Sequence, residues 1–474
     1  MTVVRKLLHG AWAVARWVAL LPIRLIAAAL EAGVSQRGLC LAFLLACLAC
    51  TVGGWLRPPL SPDIRGTHLP LGIWEPERSG PDLLLAPRPF VWASVAMPLL
   101  VILGVSLPFV LWRPQSIQTV AGLLLAVGLG CTAAAMFNHP SLLELLDSEM
   151  EQRGKVRTIM GEYSEHLLSA ASGPRVEELD DRMTVSDPFE SPDPVDFSGD
   201  PWRGWSYALY GPWLCCLAAL AIVGFSKGTL LQRAGQVAVW TTAGLILAGA
   251  VCSRRIYAEY LWANAERHYR QQDFQGCREL ASHAIEVMPD LDSLYRTWAF
   301  MGRLDHYQNR NSLYSEVFTA MQLVRNGDYD HAKPLWDSFL AEPECPRFVA
   351  EQASRSYAQI AGACLRYGWF SSADMLFERM SVITPWRLDY LVGRLTCRNK
   401  NFEPRPELIE ALINDFIPRI GDRTIRADLW TMAGDSYFQM GRMQEARECY
   451  TSSQNAFLLP KFSNVAAQEG LLGM

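Results

Sequence analysis

Charge is missing from five stretches of this 474-residue chain. Residues 39–56, 90–112, 117–137, 205–225 and 234–252 contain no Asp, Glu, Lys, Arg or His. Each is close to the ~20 residues an α-helix needs to cross a bilayer. The same absence restricts function. Pumps and ion-coupled transporters carry charge through ionisable groups inside the membrane. These spans offer none, so they read as an anchor. Motifs of catalysis are lacking too. No HExxH, GxSxG or GxGxxG stands in a fitting context, and Gly224–Gly228 has the wrong spacing for a P-loop. We therefore expect no catalytic residue, no cofactor and no metal, and the chain does not read as an enzyme. A basic excess is also absent: the net charge of −5 argues against a nucleic-acid partner. Of the twelve cysteines, the five after residue 252 (Cys277, Cys345, Cys364, Cys397, Cys449) are odd in number and none stand at CxxC spacing. A zinc site or disulfide framework there is excluded, and cysteine reads as a small buried hydrophobe.

What is present divides into five parts. Residues 1–37 are apolar but carry Arg5, Lys6, His9, Arg16, Arg24 and Glu31 within one arc of roughly 100° on a helical projection. That is the pattern of an amphipathic helix lying in the membrane interface, as against a signal peptide or a sixth span. Residues 38–137 hold the first three spans, with a Pro-rich loop over 57–89. Pro98 and Pro108 predict a kink in the second span. Residues 138–204 are acidic, with 15 acidic and 6 basic side chains. Ser141 and Glu144 resemble a capping box opening a helix along which Leu142, Leu146, Met150, Val156 and Met160 recur. This helix is expected to lie on the membrane or pack on another soluble part. From Gly173 to Asp200 the sequence is acidic and rich in Ser and Pro, too poor in apolar residues to order itself alone. Residues 205–252 hold the last two spans, and 253–474 follow as a helical region.

Within that last region, Trp430, Gly434, Tyr437, Gly441, Ala446 and Tyr450 stand at the spacings of the tetratricopeptide repeat (TPR), with Pro460 two residues late. The segment resembles that family. Three weaker units align on the same frame: Phe274, Cys277, Ala281, Ala284 and Pro289; Tyr329, Ala332 and Trp336; Gly368, Phe370, Ala373, Phe377 and Pro385. The resemblance covers about 200 residues at most by repeat arithmetic. It implies a right-handed array of antiparallel helix pairs with small residues at the crossings. Extra helices are expected at 291–310 and 386–426, because the units are not evenly spaced. The fold class is thus all-α: a five-helix transmembrane bundle with an amphipathic N-terminal helix, then an irregular TPR-like α-solenoid.

In that family the first helix of each unit lines a groove. Arg270, Arg325 and Arg366 share one frame position near the ends of those helices, and the fourth unit has Gln439. A guanidinium ladder suits carboxylates. Arginine at a helix end also complements the helix dipole, which is the plainer reading. Asp290-Leu291-Asp292 and Asp328-Tyr329-Asp330 read as helix caps in preference to metal ligands. The acidic loop 177–200 lies on the same side of the membrane as the array by parity, and could dock on those arginines within its own chain. The short hairpins 113–116 and 226–233 carry Arg113, Lys227 and Arg233 and no acid, a cytoplasmic signature. That places the C-terminal region outside a bacterial inner membrane, although Arg254, Arg255 and the arginines of 57–89 oppose it. The expected function is an integral-membrane scaffold that recruits a protein or peptide partner, possibly an acidic one, to a secretion, envelope or polysaccharide-export assembly. The alternative is a membrane enzyme or transporter subunit with its site between the spans and loop 57–89.

Overall fold

With no charged side chain to draw it into water, the backbone of an apolar stretch satisfies itself as helix, and the computed structural model has this outcome at three places. It describes residues 53–71, 90–112, 117–172, 203–209, 230–342 and 345–456, with isolated positions in 211–217 and at Leu471. Helices α1 (Met97–Trp112), α2 (Ile117–Phe137), α3 (Pro140–Ser172) and α4 (Leu230–Val251) come first. By length and composition, Gln118–Phe137 and Ala234–Val251 could cross a membrane. Helix α1 has 16 residues, short of a full crossing. The first and fourth expected spans lie largely outside the described residues, as do the amphipathic segment 1–37 and the acidic loop 177–200.

Helices α2 and α4 pack side by side and run in the same direction. A methyl group on Gly122 would fall 2.2 Å from the Trp240 ring, one on Gly244 3.1 Å from Ala126 Cα, and one on Gly130 3.1 Å from Leu247. Contact positions rise together on both helices, so the pair is parallel. Small residues let the helices approach this closely, as in membrane helix pairs. At the shared end, the Asn138 side-chain amide donates to the Val251 carbonyl at 3.1 Å.

Three span edges read from the sequence are not helical. Gly54–Leu56 is a short strand (β1) antiparallel to Ile64–Arg65 (β2). Residues 90–96 form turns against 69–71, with Leu71 N donating to Ala93 O at 2.7 Å and Val95 N to Leu69 O at 2.9 Å. Arg203–Tyr207 is a 3-10 turn, after which Leu209 N donates to Trp55 O at 2.9 Å. Their apolar side chains (Trp55, Leu56, Leu69, Val95, Tyr207) are buried against one another in a small core above the helices. Composition cannot separate a residue buried in that core from one facing lipid. Helix α1 accordingly starts at Met97, which puts Pro98 in its first turn, where a missing N–H costs nothing. Helix α3 likewise starts at Pro140, so Ser141 lies inside the helix and does not cap it.

From Ser253 onward the chain is a solenoid-like array of helices: α5 (Ser253–Arg270), α6 (Phe274–Val287), α7 (Tyr295–Tyr307), α8 (Leu313–Arg325), α9 (Tyr329–Ala341), α10 (Arg347–Arg366), α11 (Phe370–Ile383), α12 (Leu388–Lys400), α13 (Pro406–Ala411), α14 (Arg423–Gln439) and α15 (Met443–Asn455). The chain is all-α. Among the described residues the β1–β2 pair forms the one sheet. The expected extra helices are α7, α12 and α13. Six turns repeat one device, a residue with positive φ: Gln272, Asn309, Gly327, Gly368, Phe402 and Gly441. Four of them set the starts of α6, α9, α11 and α15 two residues on.

The crossings follow a size rule. Gly434 faces Tyr450, whose ring would lie 2.6 Å from a methyl at that position. Ala446, Cys449 and Tyr450 are buried, and the Tyr450 hydroxyl donates to Asp435 at 2.6 Å. Tyr437 is buried and Trp430 partly so, against the same core. Ala373 is buried beneath Phe370, over whose ring Lys400 Nζ stands at 5.3 Å. Phe274 packs on Tyr269 and Tyr307.

Candidate functional site

The most unusual chemistry lies where α3 meets the array. Helix α3 has two working halves. The first belongs to the small core above α2 and α4: Leu146 is fully buried there, and Asp147 accepts from the Tyr207 hydroxyl at 2.7 Å. Glu149, also buried, accepts the backbone N–H groups of Leu60 and Ser61, both at 3.0 Å, and the Ser61 hydroxyl. Leu60 O in turn accepts from Gly421 N, where a side chain would strike the Ser61 carbonyl. Residues 60–61 thus bridge α3 to the loop before α14.

The second half lies against the array. Val156 and Ile159 join the core that holds Trp298, Trp336, Tyr357 and Leu388. Around them is a cluster of charge. Gln152 Oε1 accepts Leu388 N at 3.1 Å. Glu151 is bonded by Lys155 and faces Arg355 at 3.3 Å and Arg387 at 3.5 Å. Arg387 also holds Asp389 at 2.7 Å and lies over the Tyr390 ring, 4.7 Å from its centroid. Lys155 and Arg387 are each 2% exposed and Asp389 is 0% exposed. Further along, Arg153 and Arg157 reach Asp422 at 2.7 and 3.4 Å, and Asp422 caps α14 through Thr424 N and Ile425 N.

Burial alone would raise the Glu151 carboxyl, but Lys155, Arg355 and Arg387 outweigh it and hold the group well below the ordinary carboxylate range. It stays ionised, and its contribution is lost only as pH falls through that depressed value. Asp428, on α14 near Asp422 and Arg157, behaves oppositely. Burial and the Asp422 charge push it up to about 6. The junction gathers charges largely out of water, each met by opposite charge or a backbone donor. Among the described residues no group of three His, Cys, Asp or Glu side chains is placed to hold a metal.

The arginines picked out from the sequence lie elsewhere. Arg270 and Arg325 are exposed at the ends of α5 and α8, on separate helices, and Glu266 is the carboxylate in Arg270's field. Arg366 ends α10, and its side chain lies outside the described ones. Among the arginines that do meet carboxylates in the interior are Arg355, Arg387 and Arg394, the last on Asp374 and Glu378. No local pattern marks them. Arg355 and Arg387 answer a glutamate more than 200 positions earlier in the chain. Of the Asp pairs, Asp328 caps α9 through His331 N, whereas Asp292 accepts the Tyr314 hydroxyl at 2.6 Å and α7 starts without a side-chain cap. No protein-family model matches the chain, and neither the curated proteins nor the solved structures include a match to it.

Proposed function

We propose that this protein is an integral-membrane scaffold, in which a five-helix bundle anchors an irregular TPR-like array that recruits a protein or peptide partner. One observation carries the reading: the segments 53–71, 90–96, 138–161 and 203–209 and the start of the array all gather at the end where α2 and α4 finish. From that end α1 leaves and α2 returns. Residues 203–209 are at that end too, while α4 begins at the other. In this reading the charge-free stretch 205–225 is the fourth crossing, since a 20-residue helix spans ~30 Å. Cys216, on the way, is buried against Gly128 midway along α2. The charge-free stretch 39–56, largely outside the described residues, is the remaining crossing in the same reading. The parity argument from the sequence rests on the same count.

Helix α3 packs on the array through Val156 and Ile159, and a further candidate surface for recruitment lies elsewhere. Neighbouring turns bring Tyr367, Trp369 and Phe402 together: Asn401 bonds Ser371 at 3.5 Å, and the Tyr367 and Trp369 rings lie 5.4 Å apart. All three side chains are more than half exposed. Aromatic side chains of this size anchor interfaces. Phe402 also holds a positive φ, a conformation that costs a bulky residue on the order of 1–3 kcal/mol. The basic hairpins support placement outside a bacterial inner membrane, against Arg254, Arg255 and the arginines of 57–89. The test is extraction at alkaline pH followed by affinity purification in mild detergent. The protein should resist extraction and bring down a partner that Trp369→Ala releases. Release into the soluble fraction would end the membrane reading, and an undiminished partner would end the assigned surface.

A further inference from the structure

The first unit of a helical array has no neighbour to cover it, so its outer face is ordinarily polar. Helix α5 departs from this. Its outer face carries Ile256, Tyr257 and Tyr260, exposed by 49%, 46% and 60%. Nor is α5 a fresh start. Backbone hydrogen bonds run through the junction, from Cys252 N to Ala248 O and from Ile256 N to Cys252 O, both at 2.9 Å. The exposed apolar residues of α4, Val239, Leu245 and Ile246, lead into Ile256, Tyr257 and Tyr260 at helical spacing. Only 6% of Ala234–Val251 is buried. A single uncovered face therefore runs from a helix apolar enough for lipid onto a helix of the array.

Lipid accounts for one half of that face and not for the other. Tyr260 lies nine residues past Val251, ~13 Å further along at 1.5 Å per residue. Whatever covers the whole face must itself cross the membrane and emerge on the same side as the array, and a second copy of this chain does both. We infer that α4 and α5 form a parallel seam between two copies related by a twofold axis.

Three features favour a copy. On such an axis each residue meets its own counterpart, so a charge on the face would repel itself. Between Ala234 and Tyr260 the charged residues are Arg254, Arg255 and Glu259. All three are engaged within the chain: Arg254 with the Val287 carbonyl, Arg255 with Glu259, and Glu259 also with Arg296 at 2.5 Å. Gly235 and Gly249 have open space where a side chain would stand, which allows close approach of a second helix. The face is also continuous, with six large exposed apolar side chains along two joined helices.

The inference rests on α4 being a membrane helix, so insertion and assembly are read separately. Full-length protein with one fluorophore per chain is reconstituted at low density into phosphatidylcholine vesicles. Alkaline extraction reports insertion, and stepwise photobleaching counts copies. Wild type should bleach in two steps. Tyr260→Glu, in the aqueous half, and Gly249→Ile, in the membrane half, should each shift most particles to one step with insertion unchanged. Tyr260 is exposed in the single chain, so its substitution should leave the melting temperature in place. One-step bleaching of inserted wild type overturns the seam, also where Tyr260 proves shielded by the chain's own residues. Two-step bleaching that survives both substitutions overturns it as well. Wild type that fails to insert overturns the membrane reading, and the seam with it.

Discussion

Two kinds of interface hold this molecule together, and they use opposite chemistry. Inside a helix pair of the array, a glycine or alanine on one helix meets an aromatic ring on the next, as Gly434 meets Tyr450 and Gly393 meets Phe377. Where α3 meets the array, Lys155, Arg355, Arg387 and Asp389 are taken out of water around a partly exposed Glu151. Apolar crossings stabilise in proportion to the surface they remove from water and tolerate small shifts. A desolvated ion cluster adds little net stability against an apolar substitute, but fails sharply when one member is removed. The array is thus built for stability, and the α3 junction for a unique register.

That contrast can be broken at either side. The largest effect is expected from Ala446→Glu, which puts an unpaired charge in a fully buried crossing. It should unfold the last helix pair, seen as lost helical signal in circular dichroism; wild-type melting would refute the crossing. Next is Arg387→Ala, which leaves Asp389 buried without its partner. A loss of about 3–5 kcal/mol in denaturant unfolding is expected, and a loss below about 1 kcal/mol would mean the cluster is solvated. A smaller effect belongs to Asp428. Its carboxyl is raised from the ordinary 3.8 to about 6, so its charging opposes the fold, and stability is lost as pH rises through that range. Asp428→Asn should melt like wild type below the ordinary value and higher than wild type above about pH 6. Parallel melting curves at every pH would place Asp428 in water. The smallest effect on stability is expected from Trp369→Ala, within about 0.5 kcal/mol because the side chain is exposed. Its consequence should lie in partner recovery alone.

The sequence made some of this legible. The starts of α6, α9, α11 and α15 at Phe274, Tyr329, Phe370 and Met443 were readable, because a turn residue two positions earlier and a small residue three positions later act locally. The edges of the apolar stretches were not. Trp55, Val95 and Tyr207 are as apolar as any membrane residue, yet they are buried in protein above the helices. The junction was least legible of all. The sequence offered α3 as a helix lying on the membrane or packed on another soluble part, with nothing local to name its partner. What removes its charges from water is the return of the chain hundreds of residues later. The guanidinium groups singled out at Arg270 and Arg325 had the right spacing within the repeats, but at helix ends that point to solvent.

The array stands on two stems. Helix α5 rises directly from α4, and α3 rises directly from the end of α2 to reach Arg387. The stems meet at the bond between Asn138 and Val251 and then diverge. Such a geometry works as a pair of tongs. A change of ~10° between α2 and α4 would move the far end of α5, ~27 Å away, by about 5 Å. That movement would be measured against a grip on α3 that an ion cluster keeps in register. Bilayer thickness acts on helix tilt, so in the proposed membrane setting such a tilt would appear as shear between the first helix pair and the rest of the array.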